Sequence, residues 1–461
     1  MTTSAVSKPG IIKSDAFVFF GATGDLGKKQ IYPALAGLIA DRQLEIPVIA
    51  VARSLDGVDA LRVIVHDSLK AHGNDFTDEV FARLMSRIVF VPGDYTDPET
   101  FRRLKAALGG ATRPLHYLAI PPSLFETVIK GIDAIGAAKN ARVIVEKPFG
   151  RSLETAQALN DTLHEAFDED AIFRIDHYLG KEPVQNLLYF RFANTFLEPV
   201  WSGQFIKRVT VTMSEEFGVK GRGAFYEEVG AVRDVVQNHL LQIAGLVAME
   251  PPVDRTIEGL REARTAVLEA VSPLTPEDVT LGQYRGYLAE PGVAPHSTVE
   301  TFASVRLHIN TPRWQGVPFV LRTGKCLGKT MSEVTATFRE PASHVFSDTD
   351  TAEPNCVRFR LSPEVYTAIE ARAKVPGEEK RGERATMIAR ASDGHEGHTH
   401  GGDVPPYERL IGDALEGDRT LFTTERGINA AWRIVDPIVN AGIPVAIYEP
   451  GSRGPIATAS T

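Results

Sequence analysis

Residues 16–27 read Ala-Phe-Val-Phe-Phe-Gly-Ala-Thr-Gly-Asp-Leu-Gly, and the fold prediction starts from them. The apolar run at 16–20 ends at Gly21, which is typical of a short parallel strand buried on both faces. Residues 25–40 follow with apolar side chains at helical spacing. A buried strand, a glycine-rich turn and a helix, in this order, make the first unit of an α/β fold.

Strand and helix patterns continue to alternate through the first third of the chain. Further strands are predicted at 47–52, 87–91, 115–120 and 142–145. Helical patterns lie between most of them, for example at 100–108 and 124–135. Repeated strand–helix units favour a doubly wound parallel sheet, so the N-terminal part is predicted to be an α/β, Rossmann-like domain.

After about residue 180 the pattern changes. Alternating apolar and polar residues at 209–213 and 304–309 predict strands with one covered and one exposed face. Helical patterns interrupt them at 231–248, 257–270 and 425–434. This half is therefore predicted to be α+β, with a large, mainly antiparallel sheet backed by helices.

The length of 461 residues exceeds a single ordinary core, so two domains are expected. The expected division is a flexible tail at 1–14, a nucleotide-binding domain at 15–180, an α+β domain at 181–445 and a C-terminal tail at 446–461. A formal charge of −9 provides no basic excess for neutralising a phosphate backbone, so no nucleic-acid partner is expected.

Cysteine count and hydropathy bear on the compartment. The 2 cysteines, Cys326 and Cys356, are too few for a disulfide framework, which fits a reducing compartment. Residues 1–14 contain no apolar run of signal-peptide length, and no run approaches the length of a membrane span. A cytoplasmic protein without a membrane partner is expected.

Gly21, Gly24 and Gly27 stand between the first strand and the first helix, which is the context that a dinucleotide fingerprint requires. Gly21 permits a tight turn, Gly24 lets backbone N–H groups approach a pyrophosphate, and the helix N-terminus favours its charge. The spacing is GxxGxxG rather than GxGxxG, so a plain glycine-rich turn is the alternative. The candidate cofactor residues of this loop are Gly21, Thr23, Gly24, Asp25 and Leu26.

Arg53 closes the second predicted strand. NAD sites usually place an acidic residue there for the ribose hydroxyls, whereas NADP sites place an arginine near the 2′-phosphate. Because this strand end carries no Asp or Glu, NADP is favoured as the cofactor, with NAD as a weaker alternative. Lys147, at the end of the fifth strand, is expected to face the same cleft.

Residues 173–182 place several polar groups behind a short apolar run, as though a strand ended in a polar cleft. These groups are Asp176, His177, Tyr178 and Lys181. A carboxylate can orient a catalytic base, and His, Tyr and Lys together suit an oxyanion or a phosphate. His239, in a helix-like run at 235–243, is the candidate base because its ordinary pKa lies near neutrality. A histidine in such a run is also often a packing residue.

Further motifs accompany these: residues 117–122, Glu-Lys-Pro at 146–148, 233–242, 321–325 and 407–410. Together the motifs resemble the glucose-6-phosphate dehydrogenase family, from about residue 15 to about residue 440, and more weakly near 372–404. The resemblance implies oxidation of glucose 6-phosphate to its lactone with NADP, the first step of the oxidative pentose phosphate pathway. It also implies a homo-oligomer, a dimer or tetramer, with the subunit interface on the large sheet.

The resemblance also implies roles for individual residues. His239 is expected to be the general base, with Asp176 hydrogen-bonded to its imidazole. Lys147 is expected to contact both cofactor and substrate, and Pro148 to follow a cis bond. The expected substrate residues are His177, Tyr178 and Lys181 for the phosphate, with Glu215, Asp234 and Lys325 for the sugar. Glu216 is the alternative to Glu215, and no metal is expected, because the cofactor takes the electrons.

Some features depart from the family pattern or leave alternatives open. Gln30, after Lys28 and Lys29, stands where the family is often basic, which is expected to weaken anion binding without removing the chemistry. Thr330, with Lys329 beside it, also stands at an often basic position, which leaves a second basic contact beyond Lys325 in doubt. The histidine- and glycine-rich segment 393–402 is expected to be a surface loop rather than a metal site. Glu-Lys-Pro also occurs in other NAD(P)-dependent sugar oxidoreductases, and a non-catalytic NADP-binding regulator is the alternative outside enzymes.

Overall fold

The computed structural model describes residues 12–41, 43–53, 55, 57–73, 76–254, 256–342, 353–378, 381–390 and 404–455. The predicted loop at 393–402 lies outside these described residues, as do 1–11 and 456–461 of the predicted tails. Among the helices within them, none is long and apolar enough to cross a membrane.

The first domain is built on a parallel sheet. Its strands are β1 (Ala16–Phe20), β2 (Val48–Ala52), β3 (Ile88–Pro92), β4 (Pro114–Leu118), β5 (Arg142–Val145) and β6 (Ile172–Arg174). Within the described chain their order is β3-β2-β1-β4-β5-β6, and every pairing is parallel. The chain runs outward from β1 to β3 and then crosses to β4, so a crevice opens between the carboxyl ends of β1 and β4.

Helices cover this sheet. They are α1 (Tyr32–Ala40), α2 (Val58–His72), α3 (Asp78–Arg87), α4 (Pro98–Leu108), α5 (Phe125–Ala134) and α6 (Leu153–His164). A π-helical turn, Gly27–Ile31, precedes α1, so the helix predicted over 25–40 exists but is wound more widely at its start. Every residue of β1 is fully buried, which is why this strand is apolar throughout rather than alternating.

The second domain carries a larger sheet. Its strands are β7 (Ile206–Ser214), β8 (Val279–Tyr284), β9 (Phe302–His308), β10 (Pro318–Gly324), β11 (Met331–Phe338), β12 (Cys356–Ser362), β13 (Tyr366–Lys374), β14 (Gly382–Ala389) and β15 (Val445–Tyr448). Their order in the described residues is β14-β13-β12-β11-β7-β10-β9-β8-β15. The β7–β10 and β8–β15 pairs are parallel and the others antiparallel, which confirms the predicted mainly antiparallel sheet.

Helices of the second domain precede and interrupt its strands along the chain. They are α7 (Glu182–Ala193), α8 (Gly223–Ala231), α9 (Leu241–Ala248), α10 (Ile257–Ala270), α11 (Pro406–Glu416) and α12 (Glu425–Val439). A π-helical segment, Val232–Leu240, runs between α8 and α9. Helix α12 packs against α6 and α10, and its Trp432 indole donates a 2.7 Å hydrogen bond to the Phe149 carbonyl. The domains therefore share a buried junction behind the crevice.

Both ends of the described chain contact the fold. At the N-terminus, the Ser14 amide donates to the Leu415 carbonyl at 2.8 Å, and Arg142 donates to the Ile12 carbonyl at 2.8 Å. At the C-terminus, β15 pairs in parallel with β8, and Tyr448 is buried. The sequence pattern does not indicate this strand, because a short edge strand has too few residues to show a period and its pairing partner is distant in the sequence.

Candidate active site

A buried histidine–carboxylate pair lies at the crevice where the domains meet. Asp176 follows β6 by two residues, and its Oδ1 lies 2.5 Å from Nδ1 of His239. The same oxygen accepts a 3.0 Å hydrogen bond from the Tyr178 amide, which holds the carboxylate in place. Asp176 is 2% exposed and His239 3%. Residues far apart in the sequence are thus joined by a bond shielded from water.

Lys147 fixes which imidazole nitrogen carries the hydrogen. Its Nζ lies 3.0 Å from Nε2 of His239, and it also donates to the Asp234 carbonyl at 3.1 Å. An ammonium can only donate, so Nε2 must accept, and the hydrogen of the neutral imidazole must lie on Nδ1. Nδ1 then donates to Asp176. The basic lone pair on Nε2 is directed at the Lys147 ammonium.

The charges in this cluster set the protonation state. Burial lowers the pKa of His239 below its usual range, against the opposing charge of Asp176, and the Lys147 ammonium lowers it further. Burial by itself would raise the pKa of Asp176, but the neighbouring His239 outweighs it, so this carboxyl has a lowered pKa. At neutral pH the pair therefore consists of a neutral imidazole and an ionised carboxylate, which is the state of a general base.

The π-helical segment positions His239 and Asp234 together. The segment begins just after Gly230, whose φ is 60° and whose Cβ position would lie 2.4 Å from Oε1 of Glu300. A side chain at Gly230 is therefore excluded both by backbone conformation and by space. The i→i+5 winding brings residues five positions apart near each other, and Asp234 and His239 both reach Lys147.

The cluster opens into a cleft of about 490 Å³. Residues of both domains line it, among them Leu26, Lys147, His177, Tyr178, Glu215, Asp234, His239, Lys325 and Thr330. Glu215 is paired with Lys325 inside the cleft, whereas Glu216 is turned away to accept from the Thr330 amide at 3.2 Å. Of these adjacent carboxylates, Glu215 is the one that lines the cleft.

Two aromatic residues that are predicted to bind the phosphate, His177 and Tyr178, lie next to His239. The His177 ring centroid lies 4.6 Å from that of His239, and the Tyr178 centroid 4.4 Å. Burial, followed by the charge of His239, lowers the pKa of His177 well below its usual range, so this imidazole is neutral. Lys181 lies against the same aromatic residues, with its Nζ 3.6 Å from the Tyr178 ring centroid.

The glycine loop follows β1 as predicted. Gly21 has a φ of 83°, and a Cβ there would lie 2.1 Å from the Ala119 carbonyl oxygen. Only glycine allows the loop to lie this close to the β4 end. Leu26 lines the cleft, Thr23 is half-buried, and Asp25 is exposed beside Lys29. The loop residues therefore lie at the mouth of the crevice where a dinucleotide enters.

Arg53 lies past the end of β2, exposed, with Nη1 3.7 Å from Oδ2 of Asp94. Asp94 comes from the turn after β3 and was not singled out in the sequence. Three further polar residues, Glu146, Tyr117 and Tyr407, stand in the quoted motifs but were given no role. Glu146 accepts from the Tyr117 hydroxyl at 2.5 Å, and burial raises the pKa of Glu146 to about 7. Its position before Lys147, in a strand-ending motif, was the available indication.

Two further features concern the backbone at Lys147 and the groups that could offer metal-ligand atoms. The Lys147–Pro148 bond is cis, as expected. Asp176, His177 and His239 offer potential metal-ligand atoms within 4.8 Å of one another, and His164, Glu169 and Glu425 do so elsewhere in the described residues. In the first group Nδ1 of His239 is already bonded to Asp176, and in the second Glu169 is bonded to Arg174 at 2.8 Å.

The fold and the buried pair together define a class of protein. A doubly wound domain with a glycine loop at its switch point binds a pyridine nucleotide, and a neutral histidine held by a carboxylate beside it can take a proton from an alcohol. These are the parts of a pyridine-nucleotide-dependent oxidoreductase.

The chain belongs to the glucose-6-phosphate dehydrogenase family. The model of the family's NAD binding domain matches residues 18–186, and that of its C-terminal domain matches residues 188–461. Glucose-6-phosphate 1-dehydrogenase 1 of Mycobacterium tuberculosis is 38% identical over 448 residues, which cover 97% of this chain and 94% of the relative. The cytoplasmic isoform of glucose-6-phosphate 1-dehydrogenase from Solanum tuberosum is 36% identical, covering 98% and 94%.

Solved structures agree. The crystal structure of glucose-6-phosphate 1-dehydrogenase from Mycobacterium avium has a TM-score of 0.88 and 41% identity, covering 96% of this chain and 95% of that one. A glucose-6-phosphate dehydrogenase in complex with its substrate glucose 6-phosphate has a TM-score of 0.90 and 34% identity, covering 97% of each chain. The family, the fold and the enzyme class expected from the motifs are confirmed.

Proposed function

We propose that this protein oxidises D-glucose 6-phosphate to 6-phospho-D-glucono-1,5-lactone, with NADP as the hydride acceptor. The observation that carries the proposal is the Asp176–His239–Lys147 cluster at the switch point of the nucleotide domain. Bound NADP supplies the acceptor for the hydride. The protein's own residues hold the sugar, remove a proton and stabilise the charge that results.

His239 is the proposed general base. The substrate's anomeric hydroxyl takes the place of Lys147 as the donor to Nε2, and Nε2 accepts the hydroxyl proton as hydride leaves the same carbon. The oxygen's electron pair forms the lactone carbonyl, so the proton and the hydride account for the two hydrogens lost. Asp176 keeps Nδ1 protonated and stabilises the imidazolium. Lys147 stays near through its bonds to Asp234.

The phosphate is proposed to bind at His177, Tyr178 and Lys181. Because His177 is held neutral, it serves as a hydrogen-bond donor or acceptor, and Lys181 supplies the positive charge in this group. Glu215 and Asp234 are placed to accept from sugar hydroxyls, and Lys325 to donate. Thr330 lines the cleft with a hydroxyl where the family is often basic, so the second basic contact is absent at that position.

The cofactor is proposed to lie along the glycine loop formed by Gly21, Thr23, Gly24, Asp25 and Leu26. Lys147 would contact it on the cleft side, and Arg53 would bind the 2′-phosphate of NADP. NAD, which lacks this phosphate, is the weaker alternative. The Arg53 side chain is exposed and can therefore be reached by an incoming anion, which supports this assignment.

We further propose a cytoplasmic homo-oligomer, a dimer or tetramer, with domains divided near residue 180. Exposed apolar side chains on the edge strand β14, Met387 and Ile388, support an interface on the large sheet. Light scattering after size exclusion tests the assembly. A monomer at micromolar concentration would contradict it.

The decisive experiment follows NADP and NAD reduction by absorbance with glucose 6-phosphate or free glucose. The proposal expects strong activity with glucose 6-phosphate and NADP and little with glucose. Equal activity on unphosphorylated sugars would favour a different sugar oxidoreductase. NADP binding without turnover on any sugar phosphate would instead favour a non-catalytic regulator.

A further inference from the structure

The Asp94 carboxylate lies beside Arg53, although Asp94 follows β3 and Arg53 follows β2. Strands β2 and β3 are parallel neighbours, with Ala52 opposite Pro92, and the Gly93 amide donates to the Ala52 carbonyl at 3.1 Å. The residues just past both strands therefore emerge side by side. This brings Oδ2 of Asp94 to 3.7 Å from Nη1 of Arg53.

The Asp94 carboxylate is held in this direction by its own turn. Its Oδ1 accepts from the amide of Thr96 at 2.9 Å and from the hydroxyl of Thr96 at 2.8 Å. Its backbone carbonyl accepts from the Thr100 hydroxyl at 2.7 Å. With Oδ1 engaged, Oδ2 is the oxygen directed at Arg53, and the side chain remains 47% exposed, open to a ligand.

The same turn is tied to the glycine loop. The hydroxyl of Tyr95, which follows Asp94, accepts from the Gly21 amide at 2.9 Å and donates to the Val51 carbonyl at 3.3 Å. The carboxylate thus has a defined position relative to the first turn of the loop and to the end of β2. In a doubly wound domain this is where the adenosine ribose of a dinucleotide lies.

Charge gives Arg53 and Asp94 opposite preferences for the two coenzymes. A 2′-phosphate is attracted by the guanidinium, but it is repelled by the carboxylate, which also competes with it for Arg53. A ribose 2′-hydroxyl has no charge and can donate a hydrogen bond to a carboxylate, the contact by which NAD sites usually select their coenzyme. In those sites the acidic residue ends β2, whereas here it comes from β3.

We propose that Asp94 is a coenzyme-specificity residue: it binds the adenosine ribose hydroxyls of NAD and opposes the 2′-phosphate of NADP. Arg53 has the reverse preference, so the pair makes the site accept both coenzymes, and Asp94 limits the preference for NADP. This inference rests on the proposed function for the presence of a pyridine nucleotide and adds the residue that sets the choice.

The test compares Asp94→Asn with the parent. The amide oxygen keeps the hydrogen bonds from Thr96 while the charge is lost. The ratio of kcat/KM for NADP to that for NAD, measured with saturating glucose 6-phosphate at low ionic strength, is expected to rise by roughly three- to tenfold. The rise should shrink in high salt, because exposed charges are screened. An unchanged ratio, or a fall caused by Arg53 losing its support, overturns the proposal.

A matched control lies in the same turn. Asp97 accepts from the Glu99 amide at 2.9 Å as the N-cap of α4, and its nearest cation is Arg103 rather than Arg53. Asp97→Asn removes a negative charge from the same turn, and asparagine is also a favoured N-cap residue. Its coenzyme ratio should match the parent. A rise equal to that of Asp94→Asn would mean that general charge, not the Asp94 contact, is responsible.

A binding measurement separates this inference from the proposed activity. Calorimetric titration with 2′,5′-ADP and with 5′-AMP needs no turnover. Asp94→Asn should strengthen the binding of 2′,5′-ADP and weaken that of 5′-AMP, while Arg53→Ala should weaken the binding of 2′,5′-ADP. If the parent binds both ligands but turns over no sugar phosphate, the proposed function fails and these ratios still test Asp94. If neither substitution changes the affinity for 2′,5′-ADP, only the specificity assignment fails, and the proposed function is not affected.

Discussion

Asp176 and Asp94 follow the two outer strands of the same parallel sheet in the described chain, and each lies beside a histidine or arginine side chain. Asp176, past β6, lies 2.5 Å from Nδ1 of His239, and both side chains are almost fully buried. Asp94, past β3, lies 3.7 Å from Nη1 of Arg53, and both side chains are exposed. The residue types are similar, but water reaches one pair and not the other.

Burial changes what each pair can do. Without water, a charge interacts strongly with its neighbours, so Asp176 accepts the Nδ1 hydrogen of His239 and opposes the lowering of the His239 pKa by burial. An exposed pair is screened and contributes about 0–1 kcal/mol, so Asp94 and Arg53 can adjust a preference without governing the reaction. The buried pair is suited to catalysis and the exposed pair to selection.

The buried pair is tested most severely by His239→Ala. Removing the general base should lower kcat by roughly two to four orders of magnitude, the range for losing such a group. Glucose 6-phosphate binding, measured by calorimetry, should be retained because the phosphate contacts remain. Near-normal turnover in the folded variant would contradict the role of His239.

Asp176→Asn separates charge from hydrogen bonding in the same pair. The amide cannot stabilise an imidazolium, so kcat should fall by roughly ten- to a thousandfold with the fold intact. Activity requires neutral His239 and is lost as pH falls through its pKa. Because Asp176 raises that pKa, the acid limb of the kcat/KM profile should move to lower pH in the variant. An unchanged rate and profile would make Asp176 purely structural.

Lys181→Ala tests the cation whose Nζ lies over the Tyr178 ring. Losing one charge-assisted contact should reduce kcat/KM for glucose 6-phosphate by roughly ten- to a hundredfold. Free glucose, which lacks the phosphate, serves as the control and should be hardly affected. An equal loss with both sugars would show that Lys181 does not bind the phosphate.

The exposed pair should give the smallest effect on overall rate. Arg53→Ala should raise KM for NADP by roughly tenfold and leave KM for NAD almost unchanged, because only NADP carries the 2′-phosphate. Steady-state kinetics with both coenzymes at low and high salt would measure this. Equal changes in both KM values would exclude Arg53 as the 2′-phosphate contact.

Prediction from the sequence succeeded where a feature is local. The strand at 142–145 and the helix at 257–270 have the predicted bounds, because the period of apolar residues is contained within each segment. The strand β15 was missed because it is short and is stabilised by pairing with β8, which lies far away in the chain. The start of the helix at 25–40 is π-helical, a winding that the apolar pattern does not distinguish.

The candidate site divides in the same way. The glycine loop, Arg53 and the polar run at 176–181 were visible as motifs, and the pairing of Asp176 with His239 came from the family resemblance. The choice between Glu215 and Glu216 required the β11 side of the cleft, where Thr330 turns Glu216 away. Glu146 was quoted only as part of the Glu-Lys-Pro motif, without a role, because its burial, which raises its pKa to about 7, is a property of the packed domain.

The alternation of strands and helices in the first domain, the glycine loop at Gly21 and the residue types available for chemistry could be predicted from the sequence, since these depend on neighbours in the chain. The tertiary structure alone decided that Lys147 faces Nε2 of His239 and that Asp94 stands beside Arg53. Strand order and register bring such groups together. Electrostatic effects depend on distance and burial, and neither is written in the spacing of residues along one chain.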